Sequence, residues 1–299
     1  MYIDGYREKC VMITGCDSGF GNELAKRLDR LGLRVIAGCY TEQGIQELHN
    51  ACSGRFAALR LDITDAASVE EALNNIKRIL REGNRVLWGL LNNAGVFGDL
   101  GPVEWSSKED FSKVFEVNVY GSIRMTRAFL PLLKLSRLQR EARIHDQHNR
   151  THGFFALEAF GDACRRSLRP FGVSVHMIEP GSCVTGLNFK ADAAKLKEAS
   201  SGTWKRLHDE VIVEYGRDYY DKWCQRFINN YFMMASSNLR SVTSSMENAL
   251  LSRHPRGRYP VGVDANFFVL PLQKLPEWIT DSILMNSFSG PPPPASVKA

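Results

Sequence analysis

Three glycines set between a buried-strand signal and a helical signal restrict this chain more than any other stretch. They lie in Gly15-Cys16-Asp17-Ser18-Gly19-Phe20-Gly21, in a GxxxGxG arrangement. The apolar run Cys10-Val11-Met12-Ile13 before them suits a buried strand, and Leu24, Leu28 and Leu31 after them recur at helical spacing. Glycine at such a junction lets the backbone turn sharply and lets a ligand come close, while the helix N-terminus offers unsatisfied N–H groups to a pyrophosphate. The junction therefore predicts a dinucleotide cradle. An ordinary tight turn is the alternative, and the flanking strand and helix disfavour it.

The remaining sequence is sufficient for one large α/β domain around that cradle, with 299 residues, 44% hydrophobic and 24% charged. A formal charge of +5, not gathered into a basic stripe, argues against nucleic-acid binding. Seven scattered cysteines without CxxC spacing predict a reducing compartment and no zinc site. The first nine residues are polar and charged, so no leader or anchor is expected there. The apolar stretches 267–270 and 279–288 are interrupted by Pro271, Lys274, Pro276, Glu277 and Asp281. They fall short of the about 20 apolar residues of a spanning helix and predict at most contact with a membrane surface.

Strand and helix signals then alternate. A helix over 22–31 stops at Gly32, and Arg34-Val35-Ile36-Ala37-Gly38-Cys39 reads as a second strand, completing a βαβ unit. At the end of this strand, where an adenosine ribose would lie, Tyr40, Thr41, Glu42 and Gln43 supply no cation for a 2′-phosphate, which favours NAD over NADP. Glu42 equally suits the first turn of a helix over 41–50. A third strand is expected over 56–61, a helix over 64–81 with Val69, Leu73, Ile76 and Leu80 on one face, and a fourth strand over 86–91. The Ser68/Glu71 spacing of a capping box would start that helix nearer Ser68. Ligands sit at the carboxyl ends of strands in a doubly wound parallel sheet, which singles out Asp62 and Asn92.

With these residues in hand, the sequence resembles the short-chain dehydrogenase/reductase family and, within it, the retinol and hydroxysteroid dehydrogenase branch. The resemblance rests on Gly15 to Gly21, Leu61-Asp62-Ile63-Thr64, Asn92-Asn93-Ala94-Gly95, Val117-Asn118 and Glu179-Pro180-Gly181, and covers about residues 8–135 and 156–285. It implies a Rossmann-type sheet of seven parallel strands, an NAD(P) cofactor, and oxidation of a lipophilic alcohol or reduction of its ketone or aldehyde. It further implies that Gly15, Ser18, Gly19 and Gly21 wrap the pyrophosphate, that Asp62 meets the adenine, and that Asn92 and Gly95 lie along the cofactor. Pro180, Gly181 and Thr185 would border the nicotinamide end. The main chain of Asn118 would help hold a proton-relay water. The expected division is a cofactor-binding core over 1–185, a substrate lid with C-terminal helices over 186–290, and a disordered tail over 291–299. Expected partners are a lipophilic small molecule and no nucleic acid. A cytoplasmic location, peripheral contact with the endoplasmic reticulum membrane and a homodimer are compatible with the resemblance.

The departure comes after Leu133. The family pattern continues with a fifth strand ending in a catalytic serine, then a Tyr-x-x-x-Lys pair on the next helix. Aligned on Ala156-Leu157-Glu158-Ala159-Phe160, the lysine position falls on Phe154 and the tyrosine position on Arg150, and the intervening segment looks several residues short. No tyrosine occurs from 121 to 214, no lysine from 135 to 189 and no serine from 137 to 166. Hydride transfer at a carbinol carbon must be matched by proton transfer at its oxygen. A phenol made acidic by an adjacent ammonium supplies that proton near neutral pH. Such a group is worth roughly 100-fold to 10,000-fold, or about 3 to 5 kcal/mol of barrier. A guanidinium does not deprotonate and cannot shuttle a proton.

Residues 136–152 are polar and helix-forming, so the expectation is that 136–150 prolongs the preceding helix or is disordered and that the sheet loses its fifth strand. His145, His148 and His152 could share a face with Asp146 as a metal set, but the flanking arginines fit a solvated face better. Beyond it, a helix over 160–169 and a strand over 173–178 resume the alternation, and Trp204, Tyr215, Tyr219, Tyr220, Trp223 and Phe227 suit a lid for a flat apolar ligand, with core packing claiming part of them. Three readings stay open: a working oxidoreductase with another proton donor such as Tyr215 or His208, a dinucleotide-binding protein without the chemistry, and a misjoined or alternatively spliced product.

Overall fold

In the computed structural model, the described residues are 2–98, 101–136, 142–147, 154–183, 202–234, 236, 238–272 and 274–288. The chain forms two compact units: Met1–Phe97, Val114–Pro180 and Leu239–Val261 make the first, and Gly98–Lys113, Gly181–Asn238 and Gly262–Ala299 the second.

The first unit is built on β1 (Cys10–Thr14), every residue of which is buried. An apolar run covered on both faces is what a central parallel strand requires. Around it lie α1 (Gly19–Arg30), β2 (Arg34–Cys39), α2 (Glu42–Ala51), β3 (Ala57–Arg60), α3 (Ala66–Glu82) and β4 (Leu87–Asn92). The chain continues through α4 (Lys108–Phe115), a π-helical turn (Glu116–Gly121), α5 (Ser122–Leu135), β5 (Ala142–Gln147), α6 (Phe154–Ser167) and β6 (Val173–Pro180). The sheet has seven parallel strands in the order β3-β2-β1-β4-β5-β6-β7, where β7 is Arg258–Val261. The strand order reverses between β1 and β4, and that switch point, at the strands' carboxyl ends, is where this architecture opens a crevice for a ligand.

Helical faces follow the expected periodicity. Leu24, Ala25 and Leu28 of α1 are buried, as are Val69, Ala72, Ile76 and Leu80 of α3, with Leu73 packed partly buried against the same core. Helix α3 starts at Ala66 rather than near Ser68, because Asp65 caps it by accepting from the N–H of Ala67 at 3.0 Å. The Ser68 hydroxyl instead accepts from the Asp62 N–H at 2.9 Å, closing the turn after β3. Helix α8 (Arg240–Leu251), which follows the second unit's α7 (Asp209–Met234), packs on α1. There the buried Glu247 carboxylate pairs with Arg27 and accepts from the Tyr2 hydroxyl, and burial together with Glu247 pushes the Tyr2 phenol up to about 12.

The expected loss of the fifth strand is overturned. Residues 142–147 form a strand that pairs on both sides, Gly89 to Asn92 of β4 with Arg143 to Asp146, and Ala142 to Gln147 with Val173 to Ile178 of β6. The residues therefore neither prolong α5, which ends at Leu135, nor leave the sheet open. The physical reason is that the facing edges of β4 and β6 carry buried backbone donors and acceptors that need partners. Any chain segment without proline can supply them, so tertiary context overrides a helix-forming composition.

In the second unit, α7 contains a kink at Gly216 (φ 71°), and α9 (Glu277–Phe288) follows near the C-terminus. Trp105 anchors an aromatic cluster, with ring centroids 5.5 Å from Tyr215, 4.6 Å from Tyr220 and 5.2 Å from Trp223. Among the described residues no helix is long and apolar enough to cross a membrane. The tail 291–299 lies outside the described residues.

The strand over 142–147 carries a direct expectation. In hydrogen–deuterium exchange its amides should be protected to about the degree of those in β4; exchange at the rate of an open loop would refute the central strand.

Candidate functional site

The cradle is built where β1 ends. Gly15 has φ 66°, and a Cβ on it would lie 2.6 Å from Ala94 Cα. Gly19 also has φ 66°, and a Cβ on Gly21 would lie 2.5 Å from the Gly15 carbonyl oxygen and collide with the Asn93 amide. The loop is thus pressed against the exit of β4 so closely that side chains are excluded. Ser18 precedes α1 with extended backbone, and its hydroxyl does not cap the helix. First-turn N–H groups at such an end are the ones that bind an anion.

Two side chains fasten this approach. The Thr14 hydroxyl donates to Leu91 O at 3.3 Å and accepts from the N–H groups of Asn93 at 3.0 Å and Ala94 at 2.9 Å. Asn93 Nδ2 donates to Thr14 O at 2.8 Å and Gly15 O at 2.9 Å. Neither residue was among the expected site residues. For Asn93 the signal was available, since it adjoins Asn92 at a strand end. Asn92 itself is buried, and its Nδ2 donates to the Thr126 hydroxyl at 3.0 Å, so its side chain fixes β4 to α5.

Asn118 and Gly95 come together at the loop after β4. Asn118 Oδ1 accepts from the Val96 N–H at 2.8 Å while its Nδ2 donates to Val96 O at 2.9 Å. A Cβ on Gly95 would lie 3.2 Å from that Oδ1. The side chain is spent on the loop after β4, and Asn118 sits in the π-helical turn, where the usual helical ladder is interrupted. The Asp62 carboxylate accepts from the Thr64 N–H at 2.9 Å and the Thr64 hydroxyl at 2.7 Å, closing the turn into α3.

At the end of β2 the structure supplies something sequence order concealed. Tyr40 is exposed, and the Arg60 guanidinium of β3 lies 5.3 Å from its ring centroid. The cation comes from the neighbouring strand, twenty positions away, so reading the residues next to Tyr40 could not find it.

Pro180 is the last residue of β6. In the second unit, Gly181 packs on Asp264, whose carboxylate accepts from the Ser182 N–H at 2.7 Å and the Ala265 N–H at 2.9 Å. Thr185 lies outside the described residues. The alternative proton donor Tyr215 donates its hydroxyl to Glu104 at 3.2 Å, and burial followed by the Glu104 charge pushes its phenol up to about 12. His208 is exposed.

Of the proton-transfer positions, Phe154 begins α6 and Arg150 lies outside the described residues. β5 ends in His145, Asp146 and Gln147, with Asp146 opposite Asn92, so no serine stands at its carboxyl end. Of the histidines weighed as a metal set, His145 belongs to this strand, while His148 and His152 are outside the described residues.

A family model described as short chain dehydrogenase matches residues 9–144. The chain is similar to retinol dehydrogenase 16 of Mus musculus, 40% identical over 94% of this chain and 89% of that protein. It is equally similar to 17-beta-hydroxysteroid dehydrogenase type 6 of Bos taurus, 40% identical over 97% of this chain and 92% of the relative. Among solved structures, a short-chain dehydrogenase from Streptomyces avermitilis shares the fold with a TM-score of 0.65 at 22% identity, over 93% of this chain and 95% of that one. A 3-ketoacyl-(acyl-carrier-protein) reductase from Brucella melitensis complexed with NADH is similar over 60% of this chain and 78% of its own, with a TM-score of 0.55 and 25% identity.

The clamp and the uncapped helix predict responses of different size to small substitutions. Thr14→Val should lower stability in urea denaturation by about 1 to 3 kcal/mol, since it strips an acceptor from two backbone donors. Ser18→Ala should change it by less than about 0.5 kcal/mol, against the roughly 1 kcal/mol usual at a helix N-cap.

Proposed function

The chain belongs to the short-chain dehydrogenase family, and from that membership we propose that it binds NAD in its glycine cradle and accommodates a lipophilic alcohol or carbonyl compound, with its proton-transfer chemistry severely impaired. One contrast carries the proposal. The nucleotide end has its glycines, its uncapped helix start and its Thr14–Asn93 clamp. The other end lacks all three proton-transfer side chains, for there is no serine from 137 to 166, no tyrosine from 121 to 214 and no lysine from 135 to 189.

The residues fit a dinucleotide. Gly15, Ser18, Gly19 and Gly21 would hold its pyrophosphate, Asp62 its adenine, and Asn92 and Gly95 its length, with Pro180, Gly181 and Thr185 at the nicotinamide end. When bound, the nicotinamide supplies a carbon that gives or takes hydride. The chain's own task is to move a proton at the substrate oxygen. Arg150 stays protonated and could stabilise an alkoxide without relaying a proton. Tyr215, with a phenol raised to about 12 beside Glu104, is shifted away from the range in which a general base works near neutral pH.

Retinol or hydroxysteroids are the proposed substrate class, supported by the names of the similar proteins. Peripheral contact with a membrane is part of the proposal, supported by exposed Val263, Phe267 and Trp278.

Two measurements test it. Titration by nicotinamide fluorescence should show tighter binding of NADH than NADPH, and the reverse order would refute the cofactor choice. Turnover of retinol or of 3- and 17-hydroxysteroids should be at least about 100-fold slower than that of the similar mouse retinol dehydrogenase. A comparable rate that is lost in Tyr215→Phe or His208→Ala would establish a working enzyme with a different proton donor.

A further inference from the structure

The chain leaves β6 at Pro180 and β7 at Val261, and one carboxylate joins the two segments that follow. Asp264 is buried and presents both oxygens to backbone: one accepts from the Ser182 N–H at 2.7 Å, the other from the Ala265 N–H at 2.9 Å. Two glycines make room for it. A Cβ on Gly181 would collide with the carboxylate, and one on Gly262 (φ 116°) would lie 2.7 Å from the same oxygen. Gly262 is itself held, its carbonyl accepting from the Asn266 N–H at 3.2 Å and from Asn266 Nδ2 at 2.8 Å. The Ser182 peptide is engaged on its other side as well. Its carbonyl accepts from the N–H of Ser236, just beyond the end of α7 at Met234, at 2.9 Å, and Cys183 forms an isolated parallel bridge with Ser236. The bond to Ala265 alone would cap the π-helical turn Ala265–Val269. The bond to Ser182, 82 positions away, does something a cap does not: it fixes a remote loop.

We propose that Asp264 is a positioning residue for the nicotinamide end of the cofactor site, setting the course of Gly181 and Ser182 as they leave the sheet. Pro180 and Gly181 are the residues assigned above to that end, and the role of Asp264 rests on that reading. Gly181 has no side chain, so only backbone can form the seat there, and a glycine left to itself has more conformations open to it than any other residue. Clamping the next peptide by its N–H to Asp264 and by its carbonyl to Ser236 removes that freedom. A seat ordered in advance leaves less entropy to be lost when a ring settles on it. The charge matters to the hold, since a carboxylate accepting from an N–H makes a shorter and stronger bond than a neutral acceptor. Asp264 has no part in the reacting atoms; it acts through Gly181 and Ser182.

The test compares the full chain with its Asp264→Ala and Asp264→Asn variants. Melting establishes folding, and calorimetry measures binding of NADH and of ADP-ribose, which lacks only the nicotinamide ring. Asp264→Asn keeps the shape beside Gly181 and one acceptor oxygen, so it serves even if Asp264→Ala fails to fold. Asp264→Ala should weaken NADH at least about 10-fold and ADP-ribose by less than about 2-fold, the size expected when a hydrogen bond to a charged group is lost at one end of the ligand alone. Asp264→Asn should fall between Asp264→Ala and the native chain. Folded variants that weaken both ligands equally, or neither, overturn the proposal and leave Asp264 as the cap of the turn after β7. Loss of folding in both variants overturns it too, because the residue then serves the fold as a whole. A native chain that binds neither ligand, or both equally, overturns the reading of the nicotinamide end, and the role of Asp264 falls with it.

Discussion

The close approach of the loop after β1 to the exit of β4 is the constraint on which the nucleotide half of this molecule depends. Gly15 and Gly21 leave no room for a Cβ against Ala94, Asn93 and the loop's own carbonyl. The Thr14 hydroxyl and the Asn93 amide together satisfy backbone groups on both strands at that point. Position follows from this contact: it sets where α1 begins and hence where its first-turn N–H groups converge. An enlarged side chain in the loop would displace the helix start, and its free N–H groups would move with it.

From that clamp outward, hydrogen bonds to backbone fix the turns at the strand ends. Asp62 closes the turn after β3, Asn118 holds the loop after β4 through Val96, and Asp17 holds the turn after β2. In each, a short polar side chain takes N–H groups that the sheet no longer satisfies, which is why such residues collect where strands end. The same bonds limit what these side chains can do for a ligand. The Asn118 amide is spent on Val96, and the residue itself sits in the π-helical turn.

Backbone pairing and residue type answer to different demands in this sheet. β5 occupies its place between β4 and β6 despite a polar, helix-favouring composition, because pairing of a central strand is a demand of the backbone and of its neighbours. Side-chain chemistry is under no such backbone demand. It requires particular functional groups, and a strand that ends in His145, Asp146 and Gln147 supplies the scaffold without the serine.

Sequence alone was sufficient for the Rossmann-type fold class, for the glycines at the strand-to-helix junction and for the absence of Ser, Tyr and Lys from the segments named above. These are carried by local signals: glycine spacing at a strand-to-helix junction, apolar periodicity, and the presence or absence of residue types. Element cores were legible for the same reason, as the buried faces of α1 and α3 illustrate. What tertiary structure decided was everything that depends on neighbours distant in sequence. It placed a strand at 142–147 through the edges of β4 and β6, and it brought Arg60 to Tyr40 across adjacent strands. It also turned Asp17 from an unremarked loop residue into the anion held by Tyr40 and Thr41. Backbone pairing and charge proximity are properties of the folded arrangement, and no window of sequence contains both partners.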